Sequence, residues 1–193
     1  MQDFLRSLSD CPVIASARDL AQVERAGESG VSAIFLLGGS ILTLGAMADC
    51  ARARGKRVFV HLDLLAGLGR DAAAVEWCAG QIHPDGVIST RAPLLKRAGE
   101  LGMITIQRLF VMDSASLTSG VKFLKNNAPD MLEVLPGLVP KAITHLSQAL
   151  KMPIIAGGMI TEGGEVAQAL RAGAVGVSTS TQALWSVRKG TAI

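Results

Sequence analysis

The chain has 193 residues and a mass of 20.1 kDa, which suits one domain of ordinary size. Hydrophobic residues form 49% of the chain and charged residues 18%, and this composition excludes an intrinsically disordered protein. No apolar run approaches the roughly 18 to 20 residues that a membrane-spanning helix needs, so we expect no membrane association. The net charge of +3 permits an anionic partner without requiring one.

In chain order, the sequence predicts short apolar strands that alternate with helices. The predicted strands are Val13–Ala15, Ala33–Leu37, Arg57–Leu64, Gly86–Ser89, Met103–Phe110, Asp130–Leu135, Pro153–Ala156 and Val175–Ser178. Several of them are apolar on both faces, as in a parallel sheet that helices cover. The segments between them carry apolar residues at helical spacing, as at Ile41, Leu44, Ala48 and Ala51. This alternation predicts repeated strand–helix units.

Glycine or asparagine, which tolerate the left-handed cap conformation, closes most of the helical segments at nearly even intervals. These residues are Gly30, Gly55, Gly80, Gly102, Asn126 or Asn127, and Gly173. Eight even units predict a compact (β/α)8 TIM-type barrel with short loops, forming one α/β domain over residues 1–193. The alternative is an open flavodoxin-like sheet, which would use only about five of the strands.

The three cysteines, Cys11, Cys50 and Cys78, cannot all pair with one another and form no metal-binding motif. We interpret them as reduced thiols that fill small spaces in the core. The N-terminal segment also lacks the basic and apolar regions of a secretory signal. The sequence therefore predicts a cytoplasmic protein without a metal site.

The working end of such a barrel lies where the strands finish, and the last two strands end in small polar residues. Gly157 and Gly158 follow the seventh strand, and Thr179 and Ser180 follow the eighth, before a predicted short terminal helix. Glycine backbone N–H groups, hydroxyls and a helix start together favour a bound anion. These four residues form a predicted phosphate site, although a tight turn and a helix cap would use the same residue types.

Polar side chains also interrupt three other strands near their ends. His61 and Asp63 are two residues apart in the third strand and would share one face, Gln107 and Arg108 lie in the fifth, and Glu133 lies in the sixth. Around the barrel mouth they could bind a polyol through hydrogen bonds. A buried Arg–Glu pair and a core histidine are the alternatives, which the sequence leaves open.

The same polar groups would also serve acid–base catalysis in an isomerase or epimerase. Schiff-base chemistry, in contrast, needs a lysine inside the barrel, and the predicted strands contain none. We assign no catalytic residue, and the residues alone do not separate an enzyme from a binding protein.

Six motifs in series resemble one known family. They are VHLDLLAGLGRD (60–71), PDGVISTR (84–91), IQRLFVMDS (106–114), PDMLEVLPGLVPK (129–141), PIIAGGMI (153–160) and AVGVSTSTQALW (174–185). The chain resembles the glycerol uptake operon antiterminator regulatory proteins. The resemblance implies a TIM barrel that binds glycerol 3-phosphate as its effector and then the leader mRNA of glycerol-utilisation genes, with no cofactor. A TIM-barrel isomerase, epimerase or lyase acting on a small phosphorylated substrate is the alternative.

Carried onto this chain, the resemblance places the phosphate at the four residues after strands seven and eight. The glycerol hydroxyls would meet His61, Asp63, Gln107, Arg108 and Glu133. Closure of the segments 66–70 and 89–91 over the effector is the expected switch.

The expected RNA contacts are basic residues, because base-stacking aromatics are scarce and the chain has no tyrosine. We predict them at Arg91, Lys96 and Arg97, although such clusters are commonly solvated surface. We expect no DNA partner. The sequence leaves homo-oligomerisation open.

Overall fold

A computed structural model of the protein describes residues 1–188, and eight parallel strands form a closed barrel in chain order, with the first paired to the last. The strands are β1 Val13–Ala17, β2 Ala33–Leu36, β3 Arg57–His61, β4 Gly86–Ser89, β5 Ile104–Phe110, β6 Met131–Leu135, β7 Ile154–Gly157 and β8 Gly176–Thr179. This topology confirms the predicted (β/α)8 barrel.

Eight helices accompany the strands in the described part of the chain. They are α1 Gln2–Asp10, α2 Leu20–Glu28, α3 Leu44–Ala53, α4 Ala72–Trp77, α5 Ala92–Glu100, α6 Ser114–Asn127, α7 Pro140–Ala149 and α8 Gly163–Arg171. Helix α1 precedes the barrel and places Phe4 and Leu8 in its interior, where Phe4 packs on Phe59 with ring centroids 4.7 Å apart. Because α1 covers the amino ends of the strands, the carboxyl ends form the open mouth.

The core has two layers, which follow from the alternation of side chains along each strand. One apolar cluster fills the barrel interior and includes Phe35, Ile88, Ile106 and Ile155. A larger one lies between the strands and the helices. Beyond the interior apolar layer, the same inward-facing positions become polar towards the mouth, at Ser16, His61, Arg108, Glu133 and Ser178.

The boundaries of two strands differ from prediction in ways that matter for the site. Strand β3 ends at His61, and Leu62–Leu64 form a 3-10 turn, so Asp63 does not lie on the strand as predicted. Strand β1 extends through Ala17, two residues further than its pattern predicts. Both differences change which side chains reach the mouth.

The helix ends follow the predicted glycine pattern in part. Gly55, Gly102 and Gly173 have positive φ values, as left-handed caps require. Gly80 instead lies inside a π-helical turn, Cys78–Ile82, and His83 takes the left-handed conformation after it. Ala128, rather than an asparagine, does so after α6.

Smaller predictions also need correction. Ile41 precedes α3 rather than lying on it, and a 3-10 turn, Gln182–Leu184, stands where a terminal helix was predicted. The three cysteines are free thiols, of which Cys50 is only half-buried. Among residues 1–188, no helix has the length and hydrophobicity to cross a membrane.

Candidate functional site

A cavity of about 250 Å³ opens at the mouth of the barrel. Its lining residues are Ser16, Arg18, Leu37, Leu64, Arg108, Glu133, Leu135, Gly158, Met159, Ile160, Thr161, Ser178, Thr179, Ser180 and Thr181. Small-molecule sites commonly measure roughly 300–1,000 Å³, so this cavity suits a small ligand. It lies where TIM barrels place their binding sites.

The loops after β7 and β8 meet on one side of this cavity, because the two strands are neighbours. Gly158, Thr179 and Ser180 line it, while Gly157 is buried beside it. A Cβ atom on Gly157 would lie 2.5 Å from Ser178 Oγ and 2.8 Å from Glu133 Oε1. The structure thus brings the four predicted phosphate residues together, and Gly157 leaves space for the polar floor.

The turn after β7 carries backbone strain. Gly158 and Met159 both have positive φ, 76° and 64°, and Met159 is a long side chain in a conformation that favours glycine. Such strain costs on the order of 1–3 kcal/mol and is concentrated at binding sites. Since both residues line the cavity, the strained turn shapes its rim.

The hydroxyl of Thr179 connects the two loops. It donates to the carbonyl oxygen of Ile160 at 2.7 Å and accepts from the backbone N–H of Thr181 at 3.0 Å. The indole N–H of Trp185 donates to the Thr179 carbonyl oxygen at 2.9 Å. Thr179 therefore fixes the rim through its own contacts, and backbone groups and Ser180 are better placed to meet a ligand.

A buried ion pair forms the floor of the cavity. Arg108 Nε lies 2.7 Å from Glu133 Oε2, and Ser178 Oγ donates to Glu133 Oε1 at 2.6 Å. The Arg108 and Glu133 side chains are 8% and 1% exposed. The structure shows the buried Arg–Glu pair that the sequence left open, and both residues also line the cavity.

His61 is buried beside this floor and does not line the cavity. Neither ring nitrogen has a hydrogen-bond partner among residues 1–188, and Nδ1 lies 3.9 Å from Asp63 Oδ2. Burial, and to a smaller extent the nearby Arg108 charge, lower the pKa of His61 to about 4, against the opposing effect of Asp63. The imidazole is therefore neutral at pH 7.

Asp63 joins two loops at the mouth instead of lining the cavity. Its carboxylate accepts from Ser89 Oγ at 3.0 Å and from the backbone N–H of Thr90 at 2.7 Å. Arg91 Nε lies 3.6 Å from the carboxylate, and Arg70 donates to the Asp63 carbonyl oxygen at 3.2 Å. These contacts hold together the two segments that we expected to close over an effector.

Gln107 does not belong to the mouth. It follows the inward-facing Ile106 and precedes the inward-facing Arg108, so strand alternation turns it outward. There it lines a groove with residues of α5 and the end of α6. The prediction that Gln107 and Arg108 both meet the ligand was wrong, because consecutive strand residues point to opposite faces.

The three basic residues predicted to contact RNA differ in their surroundings. Arg97 pairs with Glu76 at 2.8 Å and with Glu100 at 3.0 Å. Arg91 is about half exposed at the mouth, and Lys96 is exposed on α5. The charge of Arg97 is thus largely balanced within the protein.

Comparison with known proteins identifies the family. The model of the glycerol-3-phosphate responsive antiterminator family matches residues 13–185. The chain belongs to this family.

Three relatives support the assignment. The chain is 34% identical to the uncharacterized protein YgcP of Escherichia coli (strain K12), over 96% of this chain and 97% of that protein. The glycerol uptake operon antiterminator regulatory protein from Listeria monocytogenes has a TM-score of 0.86 at 36% identity, covering 90% of this chain and 94% of that one. A glycerol uptake operon antiterminator-related protein from Thermotoga maritima has a TM-score of 0.81 at 28% identity, covering 91% and 98%.

The structure also places residues in the candidate site that the sequence pattern did not indicate. Ser16 and Arg18 line the cavity because β1 runs through Ala17, and Ser178 and Thr181 line it from the last strand and its loop. Reading onward from a longer first strand would have found Arg18. No group of three or more His, Cys, Asp or Glu side chains in residues 1–188 is arranged to hold a metal ion.

Proposed function

We propose that this antiterminator family member binds glycerol 3-phosphate in the mouth cavity and, in that state, binds the leader mRNA of glycerol-utilisation genes. Bound protein would let transcription pass a terminator. The family supports the regulatory role and the effector. The observation that carries the site is a single cavity that combines a cation, two small-residue loops and a polar floor.

The charges of the cavity favour a small anion. Glu133 is balanced by Arg108, so Arg18 contributes a positive charge that no carboxylate in the lining offsets. We assign the phosphate to Arg18 and to the Gly157–Gly158 and Thr179–Ser180 loops. Ser180 and the backbone supply donors there, because the Thr179 hydroxyl is engaged.

The glycerol hydroxyls would then face the floor. The terminal guanidinium N–H groups of Arg108 are donors beyond the Nε–H that binds Glu133. Ser178 Oγ, whose proton goes to Glu133, and the Glu133 carboxylate are acceptors, so the set matches the mixed donor and acceptor character of a polyol. Of the five residues first expected here, Arg108 and Glu133 line the cavity. We assign His61 and Asp63 indirect roles, in packing beside the floor and in loop positioning.

Coupling to RNA follows from linkage. If the effector orders the loops that Asp63 joins, and the ordered loops bind RNA better, RNA must tighten the effector by the same factor. Arg91 at the mouth and Lys96 on α5 are the proposed RNA contacts. Arg97 is no longer among them, because Glu76 and Glu100 already balance its charge.

The acid–base enzyme alternative has weaker geometric support. Of His61, Asp63 and Glu133, only Glu133 lines the cavity, and it is already bound to Arg108 and Ser178. The barrel strands also contain no lysine for a Schiff base.

Effector binding is tested by calorimetry with glycerol 3-phosphate on the wild type and on Arg18→Gln. Hydrogen bonds to charged groups contribute about 1.5–3 kcal/mol, so we expect roughly 10- to 100-fold weaker binding in the variant. Arg25→Gln is the matched control, because Arg25 is exposed on α2 outside the cavity. Equal affinities of all three proteins for glycerol 3-phosphate would refute the assignment of the phosphate to Arg18.

RNA binding is tested by gel shift with the leader transcript at two salt concentrations, with and without glycerol 3-phosphate. We expect tighter binding with the effector and a steep loss of affinity at higher salt. An RNA affinity that saturating effector leaves unchanged contradicts the linkage. Turnover of triose or pentose phosphates that Glu133→Gln abolishes would favour the enzyme instead.

A further inference from the structure

A second opening lies on the outer face of the barrel, away from the mouth cavity. Helix α5 packs against α4 and helix α6 against α7, while a groove of about 540 Å³ opens between α5 and the end of α6. Its lining residues are Ala92, Leu95, Lys96, Gly99, Thr105, Gln107, Asn126, Asn127, Ala128, Pro129 and Asp130. The volume lies within the usual range for small-molecule sites.

The floor of this groove is more polar than most of the barrel exterior. Most outward-facing residues of the other strands belong to the apolar layer beneath the helices, as Val60 and Val134 do, with Ser89 and Thr179 at strand ends as polar exceptions. On β5 the corresponding positions are Thr105 and Gln107, which are 6% and 2% exposed. Burying polar side chains there is costly unless each finds a partner.

Gln107 has a partner for only one end of its amide. Its Nε2 donates to the carbonyl oxygens of Ser89 at 3.2 Å and Arg108 at 3.1 Å, and these two acceptors fix which end is nitrogen. The opposite atom, Oε1, has no hydrogen-bond partner within residues 1–188. An unsatisfied buried acceptor costs roughly 1–3 kcal/mol, which a ligand N–H could recover.

The other groups define the rest of the ligand. The Asp130 carboxylate is a second acceptor near the floor, where it already accepts from Thr105 at 2.8 Å. Leu95 and Pro129 are buried and give apolar walls, and Lys96 is an exposed cation. A matching ligand has N–H donors at its inner end, an apolar body and an anionic group at the rim.

We propose that this groove binds an amino-bearing nucleobase, with its exocyclic amine on Gln107 Oε1 and its phosphate on Lys96. The base belongs either to an RNA strand or to a free nucleotide, which share this chemistry. Because Oε1 is enclosed, small side-chain movements at the floor accompany binding. The RNA form rests on the proposed function, but neither form depends on glycerol 3-phosphate binding at the mouth.

The test measures binding of short cytidine, adenosine and uridine oligomers to the full chain by fluorescence anisotropy. Uracil lacks the exocyclic amine, and one net hydrogen bond of about 1 kcal/mol corresponds to roughly fivefold affinity. We expect cytidine or adenosine oligomers to bind about fivefold more tightly than uridine oligomers. Gln107→Met should remove that preference.

Lys96→Met provides a second variant that leaves the Gln107 hydrogen bonds intact. Losing one phosphate contact should weaken the binding of every oligomer and make the dependence of log K on log salt concentration less steep by about 0.7. Lys122→Met is the matched control, because Lys122 is exposed on α6 outside the groove lining. Each variant should keep the thermal stabilisation that glycerol 3-phosphate gives the wild type.

Free CMP and UMP, compared by calorimetry, separate the two sources. CMP binding as tight as the oligomer identifies a nucleotide ligand, and binding of the oligomer alone identifies RNA. The proposal is overturned if no nucleotide or oligomer binds, if all three bases bind equally, or if Lys96→Met behaves like Lys122→Met. If one of these outcomes is found and leader RNA still binds the protein, the proposed function holds and RNA binds at another surface.

Discussion

Replacing Arg108 by methionine tests the buried ion pair at the cavity floor. The change leaves the Glu133 carboxylate, 1% exposed, with Ser178 as its hydrogen-bond donor and without its countercharge. Removing one partner of a buried pair costs about 3–5 kcal/mol. A chain of this length loses about 2–4 °C in melting temperature per kcal/mol, so we expect a fall of roughly 6–20 °C.

The double variant Arg108→Met/Glu133→Met separates stability from ligand binding. Replacing both charges with apolar side chains is often neutral or stabilising, so most of the loss should be recovered. The folded double variant should nevertheless lose the stabilisation by glycerol 3-phosphate. In the wild type we expect that stabilisation to be about 2.7 kcal/mol when the effector is at 100 times its dissociation constant.

Urea unfolding followed by circular dichroism, with and without the effector, measures both quantities. Arg6→Met serves as the control, because Arg6 is exposed and lies 4.0 Å from Asp3, a distance at which surface pairs contribute little. A loss below about 1 kcal/mol in Arg108→Met would refute the buried-charge argument. Full stabilisation of the double variant by the effector would refute the role of the pair in the site.

Three further variants or measurements probe neighbouring features. Gly157→Ala should lower the free energy of unfolding in urea by about 1–3 kcal/mol, because the added Cβ collides with Ser178 Oγ. The variant should also bind glycerol 3-phosphate more weakly in calorimetry, and an unchanged affinity would contradict this. His61 has a pKa of about 4 when folded and near 6.5 when unfolded, so the unfolded chain binds more protons between these values. Stability should therefore fall by up to about 3 kcal/mol as the pH drops from about 6.5 to 4, and His61→Leu should show a shallower dependence; parallel pH profiles would exclude this. Burial raises the pKa of Cys78 to about 12. A thiol reagent at pH 8 should therefore modify the half-buried Cys50 in the folded protein and Cys78 only after unfolding, and mass spectrometry shows which cysteine is modified.

The barrel could be predicted from the sequence because its signals are local and repeated. Strand β4 was predicted with its observed ends, Gly86–Ser89, from an apolar run bounded by polar residues. Gly55, Gly102 and Gly173 end their helices because they relieve left-handed backbone strain. Left-handed His83 and Ala128 are not residue types that signal a left-handed cap; both are exposed and end their helices with backbone N–H bonds to the carbonyl oxygens of Cys78 and Leu124.

The site was less predictable because it depends on which way each side chain turns. Asp63 follows His61 by two residues and lies close to it, as expected. The 3-10 turn, however, directs the Asp63 side chain to the loops at the mouth rather than into the cavity. Alternation from Ile106 already separates Gln107 from Arg108, so that error was avoidable. The pairing of Arg108 with Glu133 depends on the register of β5 on β6, which single strands do not reveal.

The pairing of β1 with β8 has a consequence for biosynthesis. Val13 is in register with Val177, so the two edges that seal the sheet come from opposite ends of the chain. During translation, the free edge of β1 has no neighbour until the eighth strand has left the ribosome. Exposed strand edges attract other chains, which makes the unfinished polypeptide prone to aggregation. We therefore expect premature termination before Gly176 to leave an unclosed, aggregation-prone sheet rather than a smaller functional protein.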